Sequence, residues 1–96
     1  MTTKKLPDYL KLNEQTGHID ITLARPLNVD GANVTVLRMR EPTVADQEVA
    51  VDAAGSDASR EIAMFANLCE VSPDQIRKMA LRDYKRLQEA FVNFTI

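Results

Sequence analysis

The apolar residues of this 96-residue chain change their spacing once, near residue 42. In "HIDITLAR" (18–25), Ile19, Ile21 and Leu23 alternate with polar residues, which predicts a half-buried strand. The segment "VTVLRMR" (34–40) begins with β-branched residues and predicts a second strand. Between the two, Asp30 and Gly31 suit the positive φ angles of a tight turn. We therefore expect an antiparallel β-hairpin over residues 18–40, after an irregular lead-in over residues 1–17.

Beyond residue 42 the apolar spacing is helical and predicts three helices within residues 43–95. The first, over about 43–53, has only small and β-branched apolar residues, so we expect a weak buried stripe. The second covers about 56–70, and the third runs from 73 into the low 90s as one rod. The predicted fold is α+β: an N-terminal antiparallel β-hairpin packed on a small three-helix C-terminal bundle, forming a single domain over residues 1–96.

Two short segments carry helix-start signals. Pro42 is expected to end the second strand, while Thr43 and Asp46 have the spacing of a capping box. Ser72 and Pro73 suit the N-cap and first position of a later helix. We interpret these residues as structural rather than chemical.

The charge is unevenly distributed along the chain, although the net charge is only −2. Residues 41–70 contain one Lys or Arg against seven Asp or Glu, whereas residues 71–96 contain five against three. The acidic middle forms either a solvated face or a docking surface for a basic partner helix. This balance disfavours unaided binding to a phosphate backbone, which needs a concentrated basic surface.

No residue pattern indicates catalysis, and we predict that the chain is not an enzyme. His18 is the single histidine and has no indicated partners, so neither a triad nor a metal site is expected. Cys69 is a single cysteine on an apolar helix face, which favours a buried, inert thiol in a reducing compartment. We predict no catalytic, cofactor or metal residues. The sequence shows neither a secretory signal nor a membrane-spanning apolar run.

The third predicted helix offers two candidate surfaces. Its basic residues suggest nucleic acid, but Asp74 can pair with Lys78, and Asp83 with Arg86, on the helix surface. Phe91 and Phe94 near the C-terminus are either core residues or a contact with a partner or a second copy. Together with the acidic helix, the candidate partner-binding residues are Glu48, Asp52, Arg82, Lys85, Phe91 and Phe94.

The order of these segments resembles the tail assembly chaperones of contractile-tailed, Mu-like bacteriophages and related prophages. In that family an R-x-P-T-x-x-D segment follows the second strand, and a second short pattern comes later. The corresponding residues here are Arg40, Pro42, Thr43 and Asp46, then Leu68, Cys69, Val71, Ser72, Pro73, Ile76, Met79, Asp83 and Tyr84. The resemblance covers residues 19–90.

The resemblance implies a chaperone in the host bacterial cytoplasm that binds the tape measure protein and keeps it soluble until tail tube subunits polymerise around it. Such proteins are absent from the finished virion. Further implied partners are a longer product of the same gene, made by programmed ribosomal frameshift, and the tail tube protein. This chain would match the short product.

Two alternatives stay open at this stage. A small nucleic-acid-binding phage regulator would use the basic helix face. A structural tail or baseplate component would be found in purified particles. Neither needs a cofactor or a membrane.

Overall fold

Three antiparallel strands form one sheet in the order β1-β2-β3, and helices follow it in the chain. The computed structural model describes residues 6–95, so residues 1–5 of the predicted lead-in lie outside the described part. The elements are β1 (Leu10–Leu12), β2 (Ile19–Val29), β3 (Ala32–Met39), α1 (Val44–Asp52), α2 (Asp57–Cys69), α3 (Pro73–Arg77) and α4 (Leu81–Phe94). The predicted α+β class is confirmed.

The hairpin of β2 and β3 has the expected turn. Val29 pairs with Ala32, which leaves Asp30 and Gly31 as the two loop residues, with φ angles of 53° and 89°. The side chain of Asn28 accepts a hydrogen bond from the Gly31 N–H at 3.0 Å. Both loop residues therefore adopt the positive φ that their identities favour.

The expectation of a wholly irregular lead-in is wrong, because β1 lies within it. Leu10 pairs with Ile21 and Leu12 with Ile19, so β1 adds a third strand to the hairpin. A three-residue strand has too few positions to show a period in the sequence. Its partner strand supplies the hydrogen bonds that fix it.

A bulge in β2 separates two regular parts of the hairpin. Thr22 pairs with Val36 and Leu27 with Val34, so the residues between Thr22 and Leu27 leave the ladder. Pro26 lies in this bulge, where its missing N–H costs no ladder bond. Within the bulge, the N–H groups of Ala24 and Arg25 do not pair with β3 and instead donate hydrogen bonds to a side chain of α4.

The third predicted helix is two helices, which corrects the predicted helix count from three to four. Helix α3 ends at Arg77 and α4 begins at Leu81. Ala80, the residue before α4, has an extended ψ of 140°. Neither Gly nor Pro occurs at the break, so no local signal marks it. Both helices contact β2, and each places a buried residue in the core, Ile76 from α3 and Leu87 from α4.

The core lies between one face of the sheet and the helices. Alternate strand residues point inward, as the period-2 pattern predicts, and meet the apolar faces of α2, α3 and α4. The fully buried large apolar residues are Ile19, Ile21, Met39, Phe65, Leu68 and Leu87. Helix α1 contributes no apolar residue to this core, since its one buried residue is Asp46.

A candidate partner-binding groove

Helix α1 is attached to the rest of the protein by a polar anchor. The Arg40 guanidinium, at the end of β3, donates two hydrogen bonds to the Asp46 carboxylate at 2.7 and 2.8 Å. Asn67 of α2 donates to the same carboxylate at 3.2 Å. These contacts join a strand end and two helices at one side chain.

The predicted capping box at the start of α1 is present. The Thr43 N–H donates to the Asp46 carboxylate at 2.8 Å, and the Asp46 N–H donates to Thr43 Oγ1 at 3.3 Å. The hydrogen bonds from Arg40, followed by the one from the Thr43 backbone, hold the pKa of Asp46 well below its usual range. Asp46 therefore stays ionised under ordinary conditions.

The valines of α1 face away from the core. Val44, Val49 and Val51 are 78%, 67% and 64% exposed. The weak stripe predicted for this helix is confirmed, and its consequence is a helix held by Asp46 rather than by apolar burial. An exposed aliphatic surface of this kind is typical of a contact site.

An open groove of about 580 Å³ lies between α1, α2 and the C-terminal end of α4. Helix α1 contributes one wall, α2 the floor and α4 the end. The apolar residues lining it are Pro42, Val44, Ala50, Val51, Met64, Phe65, Phe91 and Phe94. The polar residues lining it are Thr43, Gln47, Asp57, Arg60, Glu61 and Thr95.

The structure brings Phe91 and Phe94 together in this groove. Phe91 packs against buried Phe65, with ring centroids 5.6 Å apart and planes tilted by 51°. Both Phe91 and Phe94 are half-buried and pack on the edge of the core. The structure therefore supports the core role of both rings and also places both in the lining of the groove, while contact with a partner stays a prediction.

Glu48 and Asp52 extend the groove along the outer side of α1. They line a shallow depression of about 280 Å³ together with Val44, Gln47 and Val51. These three last residues also line the main groove, so the two surfaces are continuous. Four of the six predicted partner-binding residues therefore lie on one connected surface, which we call the α1 groove.

Arg82 and Lys85 are exposed on α4 but do not line the α1 groove. Arg82 precedes Phe91 by nine residues, which places it about half a turn around the helix from that ring. The structure therefore places Arg82 and Lys85 on a different surface from the predicted acidic and aromatic partner-binding residues.

The second predicted start signal is also confirmed. Ser72 precedes Pro73, which is the first residue of α3. The Gln75 N–H donates to Ser72 Oγ at 3.1 Å, and the Ser72 N–H donates to the Gln75 side chain at 2.8 Å. Ser72 and Pro73 therefore act as structural caps.

Asp83 is the main residue that the sequence reasoning misplaced. We expected it on the helix surface, paired with Arg86. The pairing is present, with Arg86 Nε 4.0 Å from Asp83 Oδ1, but the Asp83 side chain is buried, with an exposure of 0%. Its carboxylate accepts hydrogen bonds from the backbone N–H groups of Ala24 at 2.7 Å and Arg25 at 3.1 Å. Asp83 therefore caps the β2 bulge, and the available signal was its position on the helix face of Leu87 and Ala90.

A second contact between the N-terminal segment and α4 was not predicted. The Arg86 guanidinium lies over the Tyr9 ring at 4.2 Å and donates to the Thr22 carbonyl at 2.6 Å. The Tyr9 hydroxyl donates to Glu89 at 2.5 Å. Arg86, one of the basic residues of α4, is therefore used in contacts within the chain.

His18 and Cys69 occupy structural positions. His18 is buried, with Thr16 Oγ1 in contact with its Nδ1 and Asp20 3.5 Å from its Nε2. Cys69 is buried in the core, and this burial raises the pKa of its thiol to about 12. A thiol with this pKa is almost entirely protonated at neutral pH, as expected for an inert cysteine.

Within residues 6–95, no group of three His, Cys, Asp or Glu residues is placed to hold a metal ion. None of the helices in that same part of the chain has the length and apolar character needed to cross a membrane.

Comparison with known proteins identifies the family. The family model described as "Phage tail assembly chaperone proteins, E, or 41 or 14" matches residues 20–96. Comparisons with curated proteins and with solved structures found no match. The match covers more than half of the chain, from β2 through α4, and the chain therefore belongs to this family of phage tail assembly chaperones.

Proposed function

We propose that this chain binds the tape measure protein through the α1 groove and keeps it soluble until the tail tube polymerises around it. Family membership supports a role in tail assembly that involves contact with tail proteins. The observation that carries this proposal is the α1 groove, an open surface whose lining includes the exposed side chains of Val44 and Val51 and the half-buried Phe94. A chaperone of this kind needs an accessible apolar surface and no catalytic residue.

The proposal includes the fate and location of the protein. It acts in the host bacterial cytoplasm, where the tail is built, and it leaves before the virion is complete. A longer frameshift product of the same gene and the tail tube protein are further proposed partners. Arg82 and Lys85, which lie outside the α1 groove, are proposed as a separate contact for one of these partners or for a second copy.

Nucleic-acid binding receives less support from the distribution of cations. Arg38, Arg40, Arg60, Arg77 and Arg86 each lie within 4.0 Å of a carboxylate oxygen. Such pairing reduces the positive potential that a phosphate backbone would require. A structural role in the tail is tested by mass spectrometry of purified particles, in which the proposal expects this chain to be absent.

A pull-down with the tape measure protein of the same phage tests the binding proposal. Wild-type chain is compared with Val51→Ser and Phe94→Ser, which remove apolar groups from the two sides of the groove. Val92→Ser is the matched control, because Val92 is 49% exposed on α4 but does not line the groove. Val and Ser have similar helix propensities, so the α1 and control substitutions leave the helices intact.

We expect the tape measure protein to be retained by wild type and Val92→Ser and lost from the two groove variants. Thermal unfolding of each variant shows whether it is folded. Equal retention by folded Val51→Ser, Phe94→Ser and wild type would contradict the assignment of the groove. Absence of binding by all chains would contradict the proposed partner.

A further inference from the structure

The α1 groove has a negatively charged rim. Glu48 and Asp52 border it on α1, and Asp57 and Glu61 line it on α2. The surrounding residues 41–70 contain seven Asp or Glu against one Lys or Arg. The groove therefore combines an apolar floor with an acidic border.

These four carboxylates differ in how they are engaged. Asp57 lies 3.2 Å from the Arg60 guanidinium, and Glu61 accepts hydrogen bonds from Tyr84 at 2.5 Å and Gln88 at 2.9 Å. Glu48 and Asp52 make no ion pair with any of residues 6–95. They are four residues apart on α1, so they lie one turn apart on the same exposed face.

Among residues 6–95, Arg60 is the one basic residue that lines the groove, and it is used internally. Arg60 donates from Nε to the Ala53 carbonyl at 2.9 Å and from Nη1 to Asp57 at 3.2 Å. It thereby links the end of α1 to the first turn of α2. Its charge is offset by Asp57, which leaves the charges of Glu48 and Asp52 without an internal counterpart in the described chain.

The groove walls favour a helical occupant. Its lining residues on α1, α2 and α4 have their backbone groups bonded within those helices, so the walls present side chains rather than a free strand edge. An extended segment would find no free N–H or C=O groups on these helical walls, so its own backbone groups that face the groove would lack partners. A helix satisfies these groups internally and can present one apolar stripe to the groove.

We infer that the α1 groove takes an amphipathic helix whose apolar stripe is flanked by Lys or Arg. The stripe packs on Val51, Met64 and Phe94, while the flanking cations meet Glu48 and Asp52. This inference rests on the proposed function, since it specifies which kind of tape measure segment is bound. It adds that recognition depends on charge as well as on apolar contact.

Two synthetic peptides test this inference directly. Both are helical and carry the same leucine stripe, with lysines at the flanking positions of one and glutamates at those of the other. Fluorescence anisotropy measures their binding to the wild-type chain at low and high ionic strength. We expect the lysine peptide to bind at least about tenfold more tightly at low ionic strength, and the difference to shrink as salt screens the charges.

Two double charge-reversal variants test which carboxylates of the protein bind the lysine peptide. The double variant Glu48→Lys/Asp52→Lys is expected to lose about tenfold in affinity for the lysine peptide. The control is Asp8→Lys/Glu14→Lys, which changes the net charge equally at exposed positions that do not line the groove. This control is expected to retain nearly the wild-type affinity and the preference for the lysine peptide.

The inference would be overturned if both peptides bound equally or if the lysine peptide did not bind. It would also be overturned if both double variants lost the same affinity for the lysine peptide. The same variants separate it from the proposed function. If Glu48→Lys/Asp52→Lys still retains the tape measure protein as wild type does at every salt concentration, the charge inference fails while the proposed function stands. If the wild type does not retain the tape measure protein, the proposed function itself fails.

Discussion

The Asp46 carboxylate lies 2.7 Å from Nη1 of Arg40, and this contact connects the end of β3 to the first turn of α1. The same carboxylate accepts a hydrogen bond from the Thr43 N–H, which completes the capping box of α1. It also accepts a hydrogen bond from the side-chain amide of Asn67 in α2. Thr43 and Asp46 therefore have a structural role. They fix the angle of a helix that has no apolar anchor of its own, and this helix forms one wall of the α1 groove.

Removal of Asp46 should cost more stability than removal of the Thr43 cap. We expect Thr43→Ala to lower the free energy of unfolding by about 1 kcal/mol, since one cap interaction is lost. Asp46→Ala should lower it by about 2 to 3 kcal/mol, because Arg40, Asn67 and the Thr43 N–H all lose their acceptor. Urea unfolding of both variants checks the order. A smaller effect for Asp46→Ala than for Thr43→Ala would contradict the anchor.

Because Asp46 is ionised in the folded protein, the free energy of unfolding should decrease at acidic pH. Its pKa is lowered in the folded state, so its contribution is fully present above the unfolded value of about 4 and is lost as the pH falls toward the folded value. We expect the stability difference between wild type and Asp46→Asn to be constant near neutral pH and to narrow below about pH 4. Urea unfolding across this range measures it. A difference that widens on acidification would refute the assigned ionisation.

Asp83 should be required for the β2 bulge. Replacing it by Ala leaves the N–H groups of Ala24 and Arg25 without their acceptor, at an expected cost of about 2 to 3 kcal/mol. Asp74→Ala is the control, because the Asp74 side chain is 85% exposed and its one ion pair within residues 6–95 is with Arg77, so its removal should cost less than about 0.5 kcal/mol. Comparable losses in the two variants would be inconsistent with the bulge contact.

The start of α4 offers a stabilising substitution. Ala80 has the extended backbone of an N-cap residue but no side-chain oxygen to accept from the first turn. Ala80→Ser should supply that acceptor and raise the free energy of unfolding by up to about 1 kcal/mol. The rise would appear as a higher urea midpoint with an unchanged slope. A lower midpoint would show that residues 78–80 are not a true helix boundary.

Local chemistry predicted part of this fold, and long-range contacts decided the rest. The turn at Asp30 and both capping boxes were evident from the sequence because the determining residues lie within three positions of each other. The break between Arg77 and Leu81 was missed because neither Gly nor Pro marks it. Strand β1 was missed because it depends on pairing with β2, which no local pattern reports. Asp83 was misplaced for the same reason, since its partners are 58 and 59 residues away.

The sequence indicates only some of the residues that line the candidate groove. The sequence predicts Glu48 and Asp52 from their charge and Phe91 and Phe94 from their apolar character, and the fold places all four on one surface. The contribution of Val51 and Met64 could not be foreseen, because it depends on the angle that Asp46 gives to α1. Arg82 and Lys85 were grouped with them by charge alone, and the helix rotation separates them from the groove.

The most direct test of the central claim is the amount of tape measure protein that stays soluble when it is co-expressed with this chain. We predict that wild type and Val92→Ser keep the tape measure protein in the soluble fraction, whereas Val51→Ser and Phe94→Ser leave it in the pellet while remaining folded themselves. A tape measure protein that is equally insoluble with and without the wild-type chain would contradict the account.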